Sequence, residues 1–383
     1  MNIDELNERE RRAHFEKVNK NFNKKLSRKN NKIECIYTGC SEYAINSHVI
    51  SKELNLRHIA ENGELLHFEP VRDSEKKELV LKNVGINEAT TFKGFCKSHD
   101  DMFKNIDVNS LITKEDLILQ CYRSICYWYY SESAGSDFLL EIHKDVIDTS
   151  NARYGKKLVD SALKVNGYSY NPVLNLHLWK QAFWKLINNR IPNEELKSQE
   201  IYEICDGISI FFKRLNYVIP VALNTMLTYK VNKNTSNIFH IVVPNETYMD
   251  IIVIVNEKEI NIRTAWLKRM EDDISILNTI EGWMISNEEW YVKPSILKSI
   301  TNERMNKISE DMRFKCGEMK LWEFYDASIF DELRIKIIEE MNHNNPKRIF
   351  EKEKLNNILV GNRDIRQKYY NHKRCEQTLH IKY

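Results

Sequence analysis

Two short clusters of sulfur and imidazole side chains constrain the fold of this chain more than any other feature. In the segment IECIYTGCSEYAINSHVISKEL, Cys35 and Cys40 are separated by four residues that include Gly39. A tight turn there can aim both sulfurs at one point, because glycine tolerates the backbone conformations such a turn demands. Downstream, in TTFKGFCKSHDDMF, Cys96 and His99 lie three apart at a predicted helix start. Positions i and i+3 share a helix face, so this thiol and imidazole can complete the same tetrahedron. Three sulfurs and one nitrogen are the donor set of a closed, structural Zn2+ site. The competing reading is three unrelated buried thiols, since free cysteine packs as a small hydrophobe. Two half-sites within one compact segment favour the metal. Cys121 and Cys126 provide an internal control. They repeat the spacing of the first pair but fall in a helical stretch, where i and i+5 diverge by about 140 degrees, so they are predicted not to chelate.

Composition narrows the setting. Eight cysteines among 383 residues are too sparse for a disulfide framework, which leaves metal binding in a reducing compartment as the better use of a cluster. The start, MNIDELNERERRAHFEKVNK, is too charged for a secretory signal, and no apolar run approaches the length of a bilayer. A cytoplasmic protein with no membrane partner is expected. A content of 42% hydrophobic and 10% aromatic residues can bury a sizeable core. The 57 basic and 55 acidic residues nearly cancel, so any nucleic-acid surface must be a local patch. Richness in Ile, Lys and Asn points to an AT-rich bacterial genome.

The order of patterns predicts an α+β chain. Residues 1–32 are predicted to form a basic helix: 3–27 lack Gly and Pro, and Leu6, His14, Phe15, Val18, Phe22 and Leu26 form an apolar stripe. Lys17, Lys20, Lys24, Lys25, Arg28, Lys29 and Lys32 could meet phosphate, although a solvated helix face is the plainer reading. Residues 33–112 hold the zinc module, and 113–216 read as helical. In that stretch Leu174, Leu178, Trp179, Ala182, Phe183, Leu186 and Ile187 recur at helical intervals between Pro172 and Pro192, as core. Tyr122, Tyr127, Trp128, Tyr129 and Tyr130 are better explained by buried packing than by base stacking. Residues 217–298 predict an antiparallel sheet, with strands in 217–229, 239–244, 248–256 and 259–266. Trp283, Trp290 and Tyr291 are available to cover it. Residues 299–383 return to helical spacing. There is no P-loop, dinucleotide-binding glycine fingerprint or Gly-x-Ser-x-Gly elbow, which removes several common enzyme classes.

The cysteine knuckle, the strand YAINSHVIS and the helix opening FCKSHDD together resemble the zinc-bearing members of the HNH, or His-Me finger, superfamily, over residues 33–107. The resemblance implies a zinc-stapled ββα, treble-clef-like module. It further implies that His48 is the general base acting on water. By the same resemblance, Asp100 takes the place of the family's helix histidine as ligand for a catalytic Mg2+ or Mn2+, with Asp101 as a second candidate. Such a centre hydrolyses phosphodiesters of DNA or RNA, and on a large α+β body it suits a bacterial antiphage defence effector with a protein partner. Two positions depart from the family. Ser47 stands where Asp or His commonly binds the metal, and Thr91 stands where the middle Asn commonly fixes the loop. The span before Cys96 also carries the strand-like pieces ELLHFEPV and ELVLKNVGI. These departures favour a different class, a non-catalytic zinc module that binds nucleic acid or protein. A small-molecule sensor built on the sheet is a third reading.

Overall fold

The computed structural model describes residues 33–70, 79–147, 172–189, 194–205, 207–231, 234–256, 270–286, 289–313 and 329–358. The basic helix expected over 1–32 and the strand expected over 259–266 lie outside these residues. The architecture is α+β, built on two antiparallel sheets. The small one pairs β1 (Asn46–His48) with β4 (Thr91–Lys93). The large one has eight strands: β2 (Glu64–Pro70), β3 (Leu79–Gly85), β5 (Glu200–Cys205), β6 (Ile208–Leu215), β7 (Val221–Val231), β8 (Asn234–Pro244), β9 (Met249–Asn256) and β10 (Trp290–Val292). Their spatial order is β3-β2-β10-β7-β8-β9-β6-β5.

Both faces of the large sheet are covered, which explains the unbroken apolar run of β9. Along IIVIV, Ile252 and Ile254 face one core, while Ile251, Val253 and Val255 face the other. A strand buried on both sides needs no polar alternation, and its β-branched residues fit the pleat. Each such side chain contributes about 1.5–3 kcal/mol relative to exposure. On the first face lie α3 (Lys114–Ile147), α4 (Pro172–Asn188) and the cysteine-bearing segment, all in one core with Phe95, Tyr122, Trp179 and Phe239. On the second lie α5 (Asp273–Ser286), α6 (Pro294–Lys298), α7 (Asn302–Arg313) and α8 (Asp331–Glu340), around Trp283 and Trp290. A last helix, α9 (Pro346–Ile358), follows. Among the described residues no helix is long and apolar enough to cross a membrane.

Local signals set the helix starts. Thr113 and Asp116 cap α3 reciprocally: the Asp116 carboxylate accepts from the Thr113 N–H at 2.9 Å, and the Thr113 hydroxyl accepts from the Asp116 N–H at 3.2 Å. Asp272 caps α5 by accepting from the Ser275 N–H and hydroxyl, and its other contact, Lys347 Nζ, draws in α9. Within the second layer, the buried Glu281 carboxylate pairs with Arg334 at 2.6 Å and accepts from the N–H groups of Ile329 and Phe330. Removing either member would strand a charge in the core, typically at a cost of about 3–5 kcal/mol.

Three expectations change. Residues 200–215, taken as part of the helical stretch, are the strands β5 and β6; EIYEIC and ISIFFKRL are short apolar runs whose β-branched and aromatic residues pair across the sheet. The sheet region 217–298 contains two helices, α5 and α6, in addition to its strands. Leu178, placed in the core of α4, is 56% exposed, whereas Trp179 and Phe183 are buried. The strand-like pieces ELLHFEPV and ELVLKNVGI form β2 and β3, and β10 joins them to the large sheet through Val292↔Leu66 and Trp290↔Leu223. The loop after β1 is bound to the same body: buried Asn55 donates to the Pro244 carbonyl and the Asn245 side chain, both at 3.0 Å.

Candidate metal centre

Cys35 and Cys40 are brought together by a knuckle in which the Cys40 N–H donates to the Tyr37 carbonyl at 3.1 Å. Gly39 sits in it at φ +84°, in the left-handed region. The knuckle is anchored to the strand before the helix: Ile36 N–H donates to the Gly94 carbonyl at 2.9 Å, and Ile45 N–H to the Phe95 carbonyl at 2.7 Å. That pairing sets Cys96 opposite the knuckle. Cys96 is the N-cap of α1 (Lys97–Asp100), and the first helical turn, closed by His99 N–H on the Cys96 carbonyl, carries the imidazole round to the same side.

The ligand atoms of Cys35, Cys40, Cys96 and His99 all lie within 4.8 Å of one another. A tetrahedral zinc requires sulfurs about 3.8 Å apart and sulfur about 3.6 Å from nitrogen, given the usual bond lengths. Here Cys40 Sγ is 3.9 Å from Cys96 Sγ, and His99 Nδ1 is 3.6 Å from Cys35 Sγ and 3.2 Å from Cys96 Sγ. Nδ1 is therefore the ring nitrogen that faces the sulfurs. The donor set, its spacing and its burial are compatible with a metal ion such as zinc. Burial pushes the Cys35 thiol up to about 11, so a cation is what would make it a thiolate at neutral pH.

Helix α4 backs the knuckle. Tyr37 stacks on the His99 ring at 3.8 Å, nearly parallel, and meets Trp184 edge-on. Lys180, also buried, donates from Nζ to the Ile36 carbonyl at 2.8 Å and lies 4.8 Å above the Tyr129 ring. The aromatic cluster expected to pack does so: Tyr122 and Trp128 are buried in the core that contains Cys35 and Cys96.

His48 ends β1 directly opposite Thr91 of β4. Its Nε2 is 3.1 Å from the Ile86 carbonyl, which can only accept, so Nε2 carries the proton and Nδ1 the lone pair. Burial lowers its pKa below 6.5, against the Ile86 carbonyl; the positive charges of Arg123 and Lys52 act in the same direction as burial. Asp100 is half-buried nearby, its pKa raised by burial and held back by Ser47, Arg123 and His48. The Ser47 hydroxyl faces it without a well-formed hydrogen bond. Thr91 uses its hydroxyl on the Glu88 carbonyl at 2.7 Å. Asp101 is exposed, one helical position on. Among the described residues the four-ligand cluster is the one group of three or more His, Cys, Asp or Glu side chains gathered closely enough to share an ion, and Asp100 and Asp101 are not part of another.

Three residues at this site were missing from the sequence reading. Buried Arg123 of α3 pairs with Asp107, which lies on α2 (Lys104–Val108), at 2.6 Å, and donates to Gln120 at 3.1 Å. Gln120 in turn donates to the carbonyl of Val49, the residue after His48, at 3.0 Å. The signal for Asp107 is its seven-residue spacing from Asp100, although a 3-10 turn over Asp101–Phe103 separates the two short helices and no α-helical angle links them. Gln120 and Arg123 have no comparable signal. Compared with known proteins, the chain matches no family model, no curated protein and no solved structure.

Proposed function

We propose that residues 33–112 are an HNH-like, metal-dependent nuclease centre, with zinc structural in the Cys35, Cys40, Cys96 and His99 site. The observation that carries the reading is His48: a half-buried imidazole whose Nε2–H is committed to the Ile86 carbonyl, leaving Nδ1 as a base at the end of β1, whose partner strand β4 leads into α1. A lowered pKa keeps this nitrogen unprotonated at neutral pH, the state a base needs to accept a proton from water attacking a phosphodiester. Gln120 and Arg123 hold the backbone beyond it. Asp100 would share a Mg2+ or Mn2+ with substrate phosphate, in the way magnesium commonly binds through one or two carboxylates plus phosphate oxygens. Such an ion, when bound, would neutralise charge developing on phosphate. DNA or RNA is the substrate class.

The test is cleavage of single- and double-stranded DNA and RNA in Mg2+ or Mn2+. His48→Ala is expected to reduce cleavage by about a hundred- to ten-thousand-fold with metal content unchanged and melting temperature almost unchanged. The acid limb should lie below pH 6.5: protonation of His48 removes the base, so activity falls as pH drops through its lowered pKa. A wild-type protein that cuts none of these substrates in either metal sinks the nuclease reading. The second reading, a zinc module that binds nucleic acid or protein without chemistry, is favoured by Ser47, a neutral hydroxyl where a metal ligand is wanted, and by the engagement of Thr91 with Glu88. It predicts that His48→Ala lowers stability instead.

A further inference from the structure

We infer that Thr90 is a positioning residue for His48: a strained turn at Thr90 holds, on one side, the chain that follows His48 and, on the other, the loop whose carbonyl receives its ring proton. The catalytic consequence rests on the nuclease reading; the placement of the imidazole does not. Thr90 is buried and has φ +60°, inside the left-handed region. Among the described residues Asn62, Thr90 and Gln199 carry a side chain in that region, and of these Thr90 alone is β-branched. Asn visits this conformation readily, whereas a β-branched residue there is a true outlier. Strain of this kind persists where neighbouring contacts enforce it, and it gathers at working sites.

The contacts that enforce it converge on the chain beside His48. The Thr90 hydroxyl donates to the Ile50 carbonyl at 3.2 Å, and its own carbonyl accepts from the Val49 N–H at 2.9 Å. Gln120 takes the Val49 carbonyl, so both polar backbone groups of the residue after His48 are engaged. Tyr291 of β10 lies against the Thr90 backbone, which ties the turn to the large sheet. In the other direction, the loop between β3 and Thr90 is tightly wound: the N–H groups of Glu88 and Ala89 donate to the Gly85 carbonyl at 2.9 and 3.0 Å, and the Ile86 N–H donates to the Gly63 carbonyl at 3.0 Å. A change of backbone direction at Thr90 therefore displaces the Ile86 carbonyl, and with it the partner of His48 Nε2. Glycine would take this turn without strain but has no hydroxyl to offer Ile50. A strained threonine in its place points to the hydroxyl as the group required.

Three substitutions in the full chain test this. Thr90→Val keeps the β-branch and deletes the hydroxyl, Thr90→Gly deletes both hydroxyl and strain, and Thr90→Ser keeps the hydroxyl. Each protein is measured well below its melting temperature. The readouts are cleavage kinetics on DNA and RNA in Mg2+ or Mn2+, elemental analysis, and the imidazole nitrogen spectrum of isotope-labelled protein, with His48 assigned through its loss in His48→Gln. Wild type is expected to show His48 as a single Nε2–H tautomer at neutral pH. Thr90→Val and Thr90→Gly should show a mixture of tautomers and lose about ten- to a hundredfold in kcat, the order of loss that a misplacement of about 1 Å brings. KM should stay within about twofold, with metal content unchanged, because the loss falls on the chemical step and not on binding. Thr90→Ser should restore the single tautomer and bring kcat to within about threefold of wild type. If Thr90→Val does not fold, Thr90→Gly carries the test alone, since glycine is at ease at this φ. An unchanged His48 spectrum in the folded variants that lack the hydroxyl, whatever their melting temperatures, makes Thr90 a purely structural residue and overturns the inference. Mixed tautomers with undiminished kcat overturn it equally, since the ring's placement would then not govern cleavage. Wild type that cuts no substrate sinks the nuclease reading instead, and the tautomer comparison still decides whether Thr90 places the ring.

Discussion

Cys35 and Cys40 share their spacing with Cys121 and Cys126, and both pairs reach the same core, yet they are used in opposite ways. The first pair sits on a turn held open to one side by Gly39, and its sulfurs converge on Cys96 and His99. The second pair sits on α3, fully buried among Tyr122, Ile125 and the sheet, with burial driving the Cys121 thiol well above its ordinary value and the Cys126 thiol up to about 12. A spacing of four residues is thus a half-site only where the backbone reverses. On a helix the same spacing sends the side chains to different faces, and the thiols become packing atoms.

The largest expected effect comes from breaking the converging set. Cys96→Ser removes one thiol from the cluster while leaving a side chain suited to the N-cap position from which α1 begins. Bound metal should fall from about one per chain to near zero. Stability should drop by several kcal/mol, up to the order of 10 that a structural zinc supplies to the smallest domains. The loss should stay below that limit here, because β2, β3 and Asn55 tie the segment to the large sheet. Elemental analysis and melting of the same preparation measure both numbers. Soluble, fully folded wild type without metal would break the comparison at its root.

The control pair should behave in the reverse manner. In the double variant Cys121→Ser, Cys126→Ser, metal content should stay at about one per chain. Each buried hydroxyl left without a good partner should cost about 1–3 kcal/mol. Stability is lost and metal is kept. If this variant loses its metal while remaining folded, the ligand assignment is wrong.

The clustering of Cys35, Cys40, Cys96 and His99 was legible from the sequence because each half is local: a turn of six residues and a single helical step. The strands β7, β8 and β9 were legible for a similar reason, their β-branched runs being bounded by Asn, Pro and Glu. What escaped was either ambiguous in period or non-local. ISIFFKRL has an apolar run without alternation, since both faces of β6 are covered, and a short run of that kind fits helix and strand alike. That β2 and β3 join the large sheet depends on β10, more than two hundred residues away, and no local pattern encodes it. The Gln120 and Arg123 network likewise depends on α3 crossing behind β1 and α2. Chemistry-bearing pairs within one turn can be read; partners supplied by another element cannot.

The smallest effect, and the sharpest, is expected at Gly39. A Cβ added there meets nothing within 4 Å, so substitution raises no steric clash with the surroundings, and only the backbone conformation is at issue. At φ +84° an L-residue is strained by its own Cβ, at a cost of about 1–2 kcal/mol, while Asn tolerates the left-handed region better than Ala does. If the turn is what makes Cys35 and Cys40 a half-site, that strain falls on the metal-bound form. A metal-free knuckle can relax to another backbone conformation; a loaded one cannot, since both sulfurs must stay on the ion. Gly39→Ala should therefore weaken metal binding by roughly five- to thirtyfold, following the tenfold per 1.4 kcal/mol relation. Gly39→Asn should weaken it less, and neither should alter the stability of the metal-stripped protein by more than about 0.5 kcal/mol. Competition against a chelator of known affinity gives the ratio. Equal binding in Gly39→Ala and wild type would mean that the knuckle does not need its left-handed residue, and that Cys35 and Cys40 are brought together by the surrounding core instead.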